Sequence, residues 1–395
     1  MLEKNRRRSL KAAIGTATLG AAMVAVPVAQ ANTALKTSVS NTYQTNGRVS
    51  AIVTIGGTTY IGGSFTSVRP YGSAAGSKET PRAHLAAINS DGTLNGWNPG
   101  ANAAVLALAA SPDGSTVYAG GDFTTVANVT RPHVAALGAS SGTTTAFNPS
   151  TDLSVLSIAA TSTKVYLGGS FTKVGAASRA HLAAVSQTGT LDTTWKPTAN
   201  AAVRAVRLSP SASDVYVGGG FSAINGSTTQ KNLARLSPSS GAVSAWSSHP
   251  KFPVYAIATT TGQVFVGGNG TGGHAAAYSA TGSQQWLIQT DGGVQAIAAM
   301  NGVTYVGGHF DNLCTGDTTG GTSGFSCPTG QVAATRHKLF AVNASSGALD
   351  PWAPNPNSNL GVWSMEAHGT SLDVGGDFTA IGAPRSSQQG FARFG

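Results

Sequence analysis

Val-Tyr-Ala-Gly-Gly-Asp-Phe, at residues 117–123, is the stretch that decides the fold, because close copies of it recur along most of the chain. A Gly pair opens in seven places, and each pair is preceded by a Val that has a small residue two positions after it. Self-similarity at a period of roughly 50 residues is typical of repeat proteins. The Val residues are Val49, Val105, Val155, Val203, Val254, Val294 and Val362, and the pairs open at Gly62, Gly120, Gly168, Gly218, Gly267, Gly307 and Gly375.

The spacing between each Val and its Gly pair indicates the local structure. It is 13 residues in five copies and 15 in the two copies that contain the turn segments 111–115 and 209–213. Because side chains alternate between the two faces of a strand, an extension by two residues keeps every inward side chain inward. The pattern predicts an antiparallel pair, in which Val-x-Ala-Ile is a fully buried strand and Val-Tyr-x-Gly-Gly is its neighbour.

A third apolar run follows each Gly pair after a variable loop, as in His84-Leu-Ala-Ala-Ile and His181-Leu-Ala-Ala-Val. A turn with Gly and a short segment with an aromatic residue complete the unit. The sequence therefore predicts an all-β fold, a seven-bladed β-propeller of four-stranded antiparallel blades that start near residues 48, 102, 152, 200, 251, 291 and 358. The aromatic residues are Trp97, Phe147, Trp195, Trp246, Trp286 and Trp352.

The seventh copy stops after its third strand and lacks an outer strand of its own. Residues 32–47 precede the first copy, and Tyr43 lies an even six residues before Val49. We expect residues 38–45 to supply the outermost strand of the last blade, which would place Tyr43 near Phe394. Closure by this N-terminal strand would remove free sheet edges from the ring.

The first 31 residues are predicted to be an export signal peptide. A basic head with Arg6-Arg7-Arg8 precedes an uncharged stretch at residues 12–28, and Ala29-Gln30-Ala31 fits a cleavage site. The stretch contains Gly, Thr and a Pro, which weakens the alternative of a transmembrane anchor. The head resembles a twin-arginine signal, although Ser9 stands where that pattern prefers Phe, so the general secretory and twin-arginine routes are both open.

Composition and charge narrow the class of protein. Only 10% of the 395 residues are charged and 41% are apolar, which excludes a charge-rich coiled coil or an acidic disordered chain. The net charge of +9 falls to +5 beyond the signal, which carries five basic residues and one acidic residue. No concentrated basic stripe remains, so nucleic acid is a poor partner. Cys314 and Cys327 predict a local disulfide in an exported chain, and no membrane span is expected after signal cleavage.

The motif Val-Tyr-Val-Gly-Gly-x-Phe, followed by Arg-x-His-Leu-Ala and Gly-x-Leu-x-x-Trp-x-Pro, resembles the delta-sixty repeat family of bacterial exported β-propellers over residues 48–395. The Gly pairs also resemble kelch repeats, and residues 278–286 are similar to a quinoprotein propeller repeat. The fifth copy departs from the pattern, with Gly267-Gly-Asn-Gly. The resemblance implies a propeller fold and a secreted, extracellular or loosely wall-associated location, and it implies no established reaction.

A basic set recurs just before the third strand. Because loops alternate between the two ends of a blade, this set is predicted to share one face with the long insertions at residues 69–81 and 311–335. Insertions on one face of a repeat protein often mark its binding face. These side chains either donate to an anionic glycan or cell-wall polymer, or each Arg binds loop carbonyls or an Asp of its own blade. The candidates are Arg82, His84, Arg131, His133, Arg179, His181, Lys231, Arg336 and His337.

Two further features have alternative interpretations. The Gly pairs could admit a close ligand, or they could provide unusual backbone angles or tight packing between blades. The aromatic residues could stack on sugars or pack between blades.

The sequence shows no enzyme motif. It contains no Gly-x-Ser-x-Gly, His-Glu-x-x-His or Walker pattern, and beyond the signal its only Glu residues are Glu79 and Glu366. No metal or cofactor is expected, and His309 is an oddity where other copies have Ser, Asp, Gly or Asn. We expect an exported, non-catalytic binding or envelope-associated module, with a cell-wall glycan or a surface protein as partner. The alternatives are a quinone-dependent or carbohydrate-oxidising propeller enzyme, motivated by the Trp286 segment, and a structural surface component.

Overall fold

The computed structural model describes residues 34–246, 248–315 and 326–395, so the predicted signal at residues 1–31 lies outside the described residues. Within those ranges the regular elements are β-strands, and no α-helix is present. Seven antiparallel sheets, which we number one to seven along the chain, each contain an inner, a middle and a third strand. The protein is therefore all-β over the part of the chain that the structure describes.

The bounds of the strands follow the repeat. The inner strands are Val49–Ile55, Val105–Ala110, Val155–Ala160, Val203–Leu208, Val254–Thr260, Val294–Met300 and Val362–His368. The middle strands are Thr58–Gly63, Thr116–Gly121, Lys164–Gly169, Val215–Gly219, Gln263–Gly270, Val303–Gly308 and Ser371–Gly376. The third strands are Leu85–Ile88, Val134–Gly138, Leu182–Ser186, Leu233–Leu236, Gly272–Ser279, Leu339–Asn343 and Phe391–Phe394. Outside these lie Gln44–Thr45, Ser67–Arg69, Thr80–Pro81, Thr125–Val126, Val129–Thr130, Lys173–Val174, Ala177–Ser178, Gln284–Thr290, Asn312–Cys314 and Val332–Thr335.

The inner and middle strands pair in one common register. The first Val of the inner strand lies opposite the second glycine of the Gly pair, as Val49 does with Gly63 and Val105 with Gly121. The two extra residues of the second and fourth copies fall within the hairpin turns, so the ladder itself is unchanged. The even spacing in the sequence thus corresponds to antiparallel hairpins of two lengths.

A β-bulge interrupts every inner strand directly after its first Val. In the first sheet the register shifts between Val49 and Ala51, and the same shift occurs in all seven sheets. The sequence pattern predicted a regular, fully buried strand at this point, and that prediction is wrong. The residue between the Val and the small residue is the extra residue of the bulge, and a bulge redirects its side chain.

The fourth strand is shorter than predicted in most sheets. We call the segment that carries the aromatic residue the outer segment. In sheets one to four and in sheet six it meets the third strand at a single residue pair, such as Ile88 with Leu94 or Val342 with Leu349. Sheet five has a full outer strand, Gln284–Thr290. The other outer segments run into a Pro, which has no N–H to donate to a ladder, whereas residues 284–294 contain none.

The first glycine of each pair allows the next sheet to pack closely. A Cβ on Gly62 would lie 2.6 Å from Val105 Cγ1, and a Cβ on Gly120 would lie 2.8 Å from Val155 Cγ1. Each sheet therefore lies directly against the inner strand that follows it, and the seventh lies against the first. The remaining contacts join Gly168 with Val203, Gly218 with Val254, Gly267 with Val294, Gly307 with Val362 and Gly375 with Val49.

The second glycine faces the backbone of its own sheet. A Cβ on Gly121 would overlap the carbonyl oxygen of Ala104, and one on Gly308 would overlap that of Gly293. The glycines of the seven pairs do not have positive φ angles. Of the interpretations considered, unusual backbone angles are therefore wrong, and close packing accounts for both glycines.

The aromatic residues of the outer segments pack between sheets. The rings of Trp97 and Tyr60 meet edge to face, with their centroids 5.0 Å apart, and Trp97 Nε1 donates a 3.0 Å hydrogen bond to Gly138 O of the second sheet. Trp286, in the segment similar to a quinoprotein repeat, donates in the same way to Ala344 O at 2.9 Å. All six aromatic side chains are at most 7% exposed, which favours packing over sugar stacking.

The seventh sheet replaces the Tyr of the repeat with Asp373, which is fully buried. Arg393 Nε donates to Asp373 Oδ1 at 2.7 Å, and its Nη2 donates to Oδ2 at 3.0 Å. Thr59 of the first sheet donates to the same carboxylate at 2.7 Å, and Arg393 Nη1 donates to Ser90 O at 3.1 Å. A buried ion pair within the seventh sheet is therefore hydrogen-bonded to Thr59 and Ser90 of the first.

The N-terminal segment runs along the edge of the seventh sheet. Ser40 N donates to Arg393 O at 2.8 Å, and Thr45 N donates to Gln389 O at 3.0 Å. Further toward the N-terminus, Lys36 O accepts a 3.2 Å hydrogen bond from Trp352 Nε1. The first two contacts occupy the positions that the outer segments occupy in the other sheets.

The segment is not, however, the regular strand that was predicted over residues 38–45. Only Gln44–Thr45 forms a strand, and it pairs with Ser67–Arg69, which ends at the first residue of the first insertion. Tyr43 packs against the apolar cluster that contains Phe391, and its N–H donates to Gly92 O at 3.0 Å. The regular-strand prediction fails because the chain crosses from the seventh sheet to the first within these residues.

The two cysteines form the predicted disulfide, with their Cα atoms 5.3 Å apart. Asn312–Cys314 pairs with the outer strand of sheet five. Val332–Thr335 then pairs with Asn312–Cys314. The insertion thus extends the fifth sheet to six strands. Residues 316–325, between the cysteines, lie outside the described residues.

Candidate binding face and central cavity

Loops from two kinds of connection meet at one end of the sheets. The side-chain oxygen of Asn102, in the link into the second sheet, accepts hydrogen bonds of 2.9 and 3.0 Å from the N–H groups of Thr124 and Thr125, which follow the Gly pair. Both long insertions follow a Gly pair, so they lie at this end, which we call the insertion face. Equivalent acceptors are Asn46, Asp152, Asn200, Asp291 and Asn357.

The predicted arginines bind backbone carbonyls of their own sheets. Arg131 donates from Nη1 to Thr130 O at 2.9 Å and from Nη2 to Thr145 O at 2.7 Å. It therefore ties the loop before the third strand to the outer segment, and the contact favours the interpretation that the Arg orders its sheet. The same two kinds of bond are made by Arg82, Arg179 and Arg336.

We expect Arg131→Ala to lower the free energy of unfolding by about 1–2 kcal/mol, because two carbonyls lose a charged donor. Urea denaturation measures the change, and Lys173→Ala, an exposed basic residue of the neighbouring sheet, is the control. An Arg131→Ala variant as stable as the wild type would contradict the structural role.

The predicted histidines form a second repeated contact. His84, His133 and His181 have φ angles of 65°, 64° and 68°, in the left-handed region. Each Nδ1 lies 3.1–3.2 Å from the carbonyl oxygen of the second glycine of its pair, so Nδ1 carries the proton. The rings thus hold the end of the middle strand and are engaged within the sheet.

Lys231 does not match the arginines in position. Gln230 takes their role in sheet four, since its Nε2 donates to Ser244 O at 2.6 Å. Lys231 is exposed on the insertion face. Gln230 stands two residues before Asn232, as Arg82 does before His84, so the spacing in the sequence already separates Lys231 from the arginines.

His337 belongs to a charged group in sheet six. Its Nδ1 lies 2.8 Å from Asp311 Oδ1, which also accepts a 2.7 Å hydrogen bond from Lys338 Nζ. Burial alone would raise the pKa of Asp311, but the hydrogen bonds and charges of Lys338 and His337 outweigh it and lower that pKa. The basic set is therefore not one uniform ring of free donors.

The residues that line the centre come from the seven bulges. Every extra bulge residue faces one central cavity, and none is buried, although the Val before each is completely inaccessible. We call these residues the bulge ring. They are Ser50, Leu106, Leu156, Arg204, Tyr255, Gln295 and Trp363.

The bulge ring carries two cation–π pairs. The guanidinium carbon of Arg204 lies 4.7 Å from the centre of the Tyr255 ring, and that of Arg48 lies 4.2 Å from the Trp363 ring. Arg204 is exposed and the other three side chains are partly exposed. Guanidinium groups next to aromatic faces can bind an anionic group and a flat apolar surface together.

Sequence reasoning missed these residues although a signal was present. The position between the repeated Val and the small residue varies from Ser to Trp, whereas its neighbours do not. A variable position inside an otherwise uniform core strand indicates a side chain that leaves the core. The assumption of regular alternation hid it, because alternation would have buried that residue between the sheets.

Glu366 and Arg207 together line the central cavity and a neighbouring one. Burial raises the pKa of Glu366 above its ordinary value, against the charges of Arg207 and His368, which lower it. Asp373 acts with burial, because its negative charge also raises that pKa. The ionised form of Glu366 is therefore a cost to the folded protein.

We expect Glu366→Gln to stabilise the protein at neutral pH and to lose this advantage as the pH falls toward 4. The pKa of Glu366 is higher in the folded protein than the value of about 4.3 that a Glu has in an unfolded chain. The folded protein therefore loses stability as the pH rises from the unfolded value through the folded value. Melting temperatures of both proteins across this range measure the effect. Glu79→Gln is the control, and its effect on stability at neutral pH should have the opposite sign. Interactions with Ser67, Gly76 and Arg69 outweigh burial and lower the pKa of Glu79. A constant difference at all pH values would contradict the expectation.

No group of three or more His, Cys, Asp or Glu side chains is arranged to hold a metal ion within residues 34–246, 248–315 and 326–395. The same residues include no helical segment with the length and apolar composition of a membrane span.

Comparison with known proteins identifies the type of fold. No model of a known family and no curated protein matches this sequence. The structure is similar to the WD40 β-propeller domain of Doa1, at 12% identity and a TM-score of 0.57, over 92% of this chain and 97% of that one. It is also similar to U3-55K, at 12% identity and a TM-score of 0.56, over 91% of this chain and 99% of that one. The chain therefore has a β-propeller fold.

Proposed function

We propose that this protein is an exported, non-catalytic β-propeller whose insertion face binds an anionic glycan or cell-wall polymer. The cation–π pairs of the bulge ring carry the proposal. Arg204 supplies an exposed positive charge at the centre of the face, and Tyr255 and Trp363 supply aromatic surface beside it. A binding module requires this combination of fixed charge and apolar surface, and it requires no reacting group.

The proposal includes a closed ring of seven blades. Three contacts at the junction of the seventh and first sheets support it: the close approach of Gly375 to Val49, the Asp373 carboxylate bound by Thr59, and the reach of Arg393 to Ser90 O. A closed ring brings all seven bulges to one centre and leaves no free sheet edge.

Export and family membership are parts of the same proposal. The basic and apolar signal pattern at residues 1–31 and the Cys314–Cys327 disulfide support a secreted, wall-associated location. The repeated Gly-Gly-x-Phe spacing supports membership of the delta-sixty repeat family, with kelch-like Gly pairs.

Binding of polygalacturonate to the mature protein tests the function, with neutral dextran as the comparison polymer. We expect saturable binding of polygalacturonate that weakens about tenfold, or ~1.4 kcal/mol, in Arg204→Ala. Lys231→Ala is the matched control, because it removes an exposed charge from the same face outside the bulge ring. No binding of polygalacturonate or purified cell walls by the wild type would overturn the proposal and favour a structural surface component. Equal losses in both variants would move the site from the bulge ring to the rim.

A further inference from the structure

A second cavity, of about 530 Å3, lies on the insertion face beside the bulge ring and shares Gln295 and Trp363 with it. Its volume falls within the range of about 300–1,000 Å3 that is usual for small-molecule sites. The loops of sheets six and seven supply the rest of its wall, including His309, which the sequence pattern singled out. The polar lining includes Asn359, Asp311 and Lys338.

Trp363 gives this cavity an aromatic wall. The other five Trp side chains are buried, with at most 7% exposure, whereas Trp363 is partly exposed. The Arg48 guanidinium, 4.2 Å from the ring centre, covers one face of the indole and holds its orientation. A flat, oriented apolar surface beside amide groups of Gln295 and Asn359 suits a ring with one apolar face and hydroxyls at its edge.

The charges of the residues that line the cavity disfavour an anion, and Arg48 lies against Trp363 without being part of the lining. Asp291 and Asp311 are carboxylates, and Lys338 is the single cation in the lining. Burial lowers the pKa of His309, with a further contribution from Lys338, so its imidazole is neutral at pH 7. The lining therefore has a formal charge of −1.

The carboxylates are also held in place. Asp291 accepts hydrogen bonds from the N–H groups of Asp311 and Asn312, at 2.7 and 3.0 Å. Asp311 Oδ1 lies 2.7 Å from Lys338 Nζ. Fixed acceptors and a fixed ammonium donor are suited to hydroxyl groups, which donate and accept at once.

We propose that this cavity binds a neutral pyranose unit, stacked on Trp363, with its hydroxyls toward Gln295, Asn359 and the Asp311–Lys338 pair. The inference rests on the proposed glycan-binding function and deepens it. The ligand would then carry an uncharged sugar next to the anionic group that Arg204 binds. Asp311 provides the discrimination, since it repels the carboxylate of a uronic acid.

Saturation-transfer NMR with methyl glucoside and methyl glucuronide on the full mature protein tests this site without the polymer. We expect a signal with methyl glucoside that is lost in Trp363→Ala and kept in Leu153→Ala, which truncates an exposed apolar side chain outside both cavities. Methyl glucuronide should bind at least several-fold more weakly than methyl glucoside. Asp311→Asn should reduce that preference, because Lys338 then faces the carboxylate alone.

Several outcomes would overturn the site. Absence of a methyl glucoside signal in the wild type, or an unchanged signal in Trp363→Ala, would do so, as would a preference for methyl glucuronide. If Trp363→Ala fails to fold by circular dichroism, Gln295→Ala serves as the second variant, and an unchanged signal there has the same meaning. Polygalacturonate binding without a methyl glucoside signal refutes only this cavity, whereas the reverse result refutes the anionic-polymer function alone.

Discussion

Replacement of Asp373 by Ala should destabilise the protein by about 3–5 kcal/mol, because it leaves the Arg393 guanidinium buried without its counter-ion. Asp373 is fully inaccessible and binds Arg393 through both carboxylate oxygens. The pair lies where the seventh sheet meets the first, so we expect this junction to open first. Urea denaturation gives the total loss, and amide exchange of Val49–Ile55 against Val203–Leu208 reports where the opening begins.

The repeat itself supplies a rescue variant. In most other sheets a Tyr stands at the Asp373 position and an Ala lies opposite it, as Tyr60 lies opposite Ala87, whereas here Arg393 lies opposite Asp373. Asp373→Tyr combined with Arg393→Ala should therefore recover much of the stability that Asp373→Ala loses, because apolar packing often replaces a buried ion pair without cost. Glu79→Ala breaks a more exposed pair with Arg69 and should cost far less. If all three variants lose the same stability, the buried pair has no special role.

The same pair predicts a dependence on pH. Burial would raise the pKa of Asp373, but the hydrogen bonds from His368, Arg393 and Thr59 and the Arg393 charge outweigh it and lower that pKa. A lowered folded pKa contributes stability above the unfolded value of about 3.9, and this contribution is lost as the pH falls through the folded value. Asp373→Asn should accordingly show a smaller loss of stability than the wild type on acidification below pH 4.

Gly121→Ala is the second substitution with a large expected effect. Its Cβ would overlap the carbonyl oxygen of Ala104 in the same sheet, and backbone cannot move aside as a side chain can. We expect a loss of about 3 kcal/mol or more, at the upper end of overpacking effects. Thermal and urea denaturation measure it.

Gly96→Ala is the matched control for Gly121→Ala. A Cβ at Gly96 would meet no atom within 4 Å, and its backbone angle lies outside the left-handed region. This variant should be as stable as the wild type or slightly more stable, since Ala restricts the unfolded chain. Equal stability of the two variants would show that the Gly pair is not required by packing.

Much of the fold could be predicted because its signals are local. The parity of the Val-to-Gly spacing indicated the hairpins, and the observed register of Val105 with Gly121 agrees with it despite the longer turn. The disulfide followed from two cysteines close in sequence. The arginines and histidines recur visibly in the sequence, but their roles could not be assigned from it, because a backbone carbonyl partner such as Thr145 O does not depend on the type of residue.

By itself, the sequence determined the repeated antiparallel unit, the number of its copies and the residues that form its core, because strand alternation and spacing act over a few residues. Only the tertiary structure decided which side chains face the centre. A bulge after each first Val turns one residue out of the ladder, and this turn depends on hydrogen bonds to a neighbouring strand rather than on the residue that is turned. Arg204 and Trp363 are therefore brought to one cavity by backbone geometry from sheets far apart in the chain.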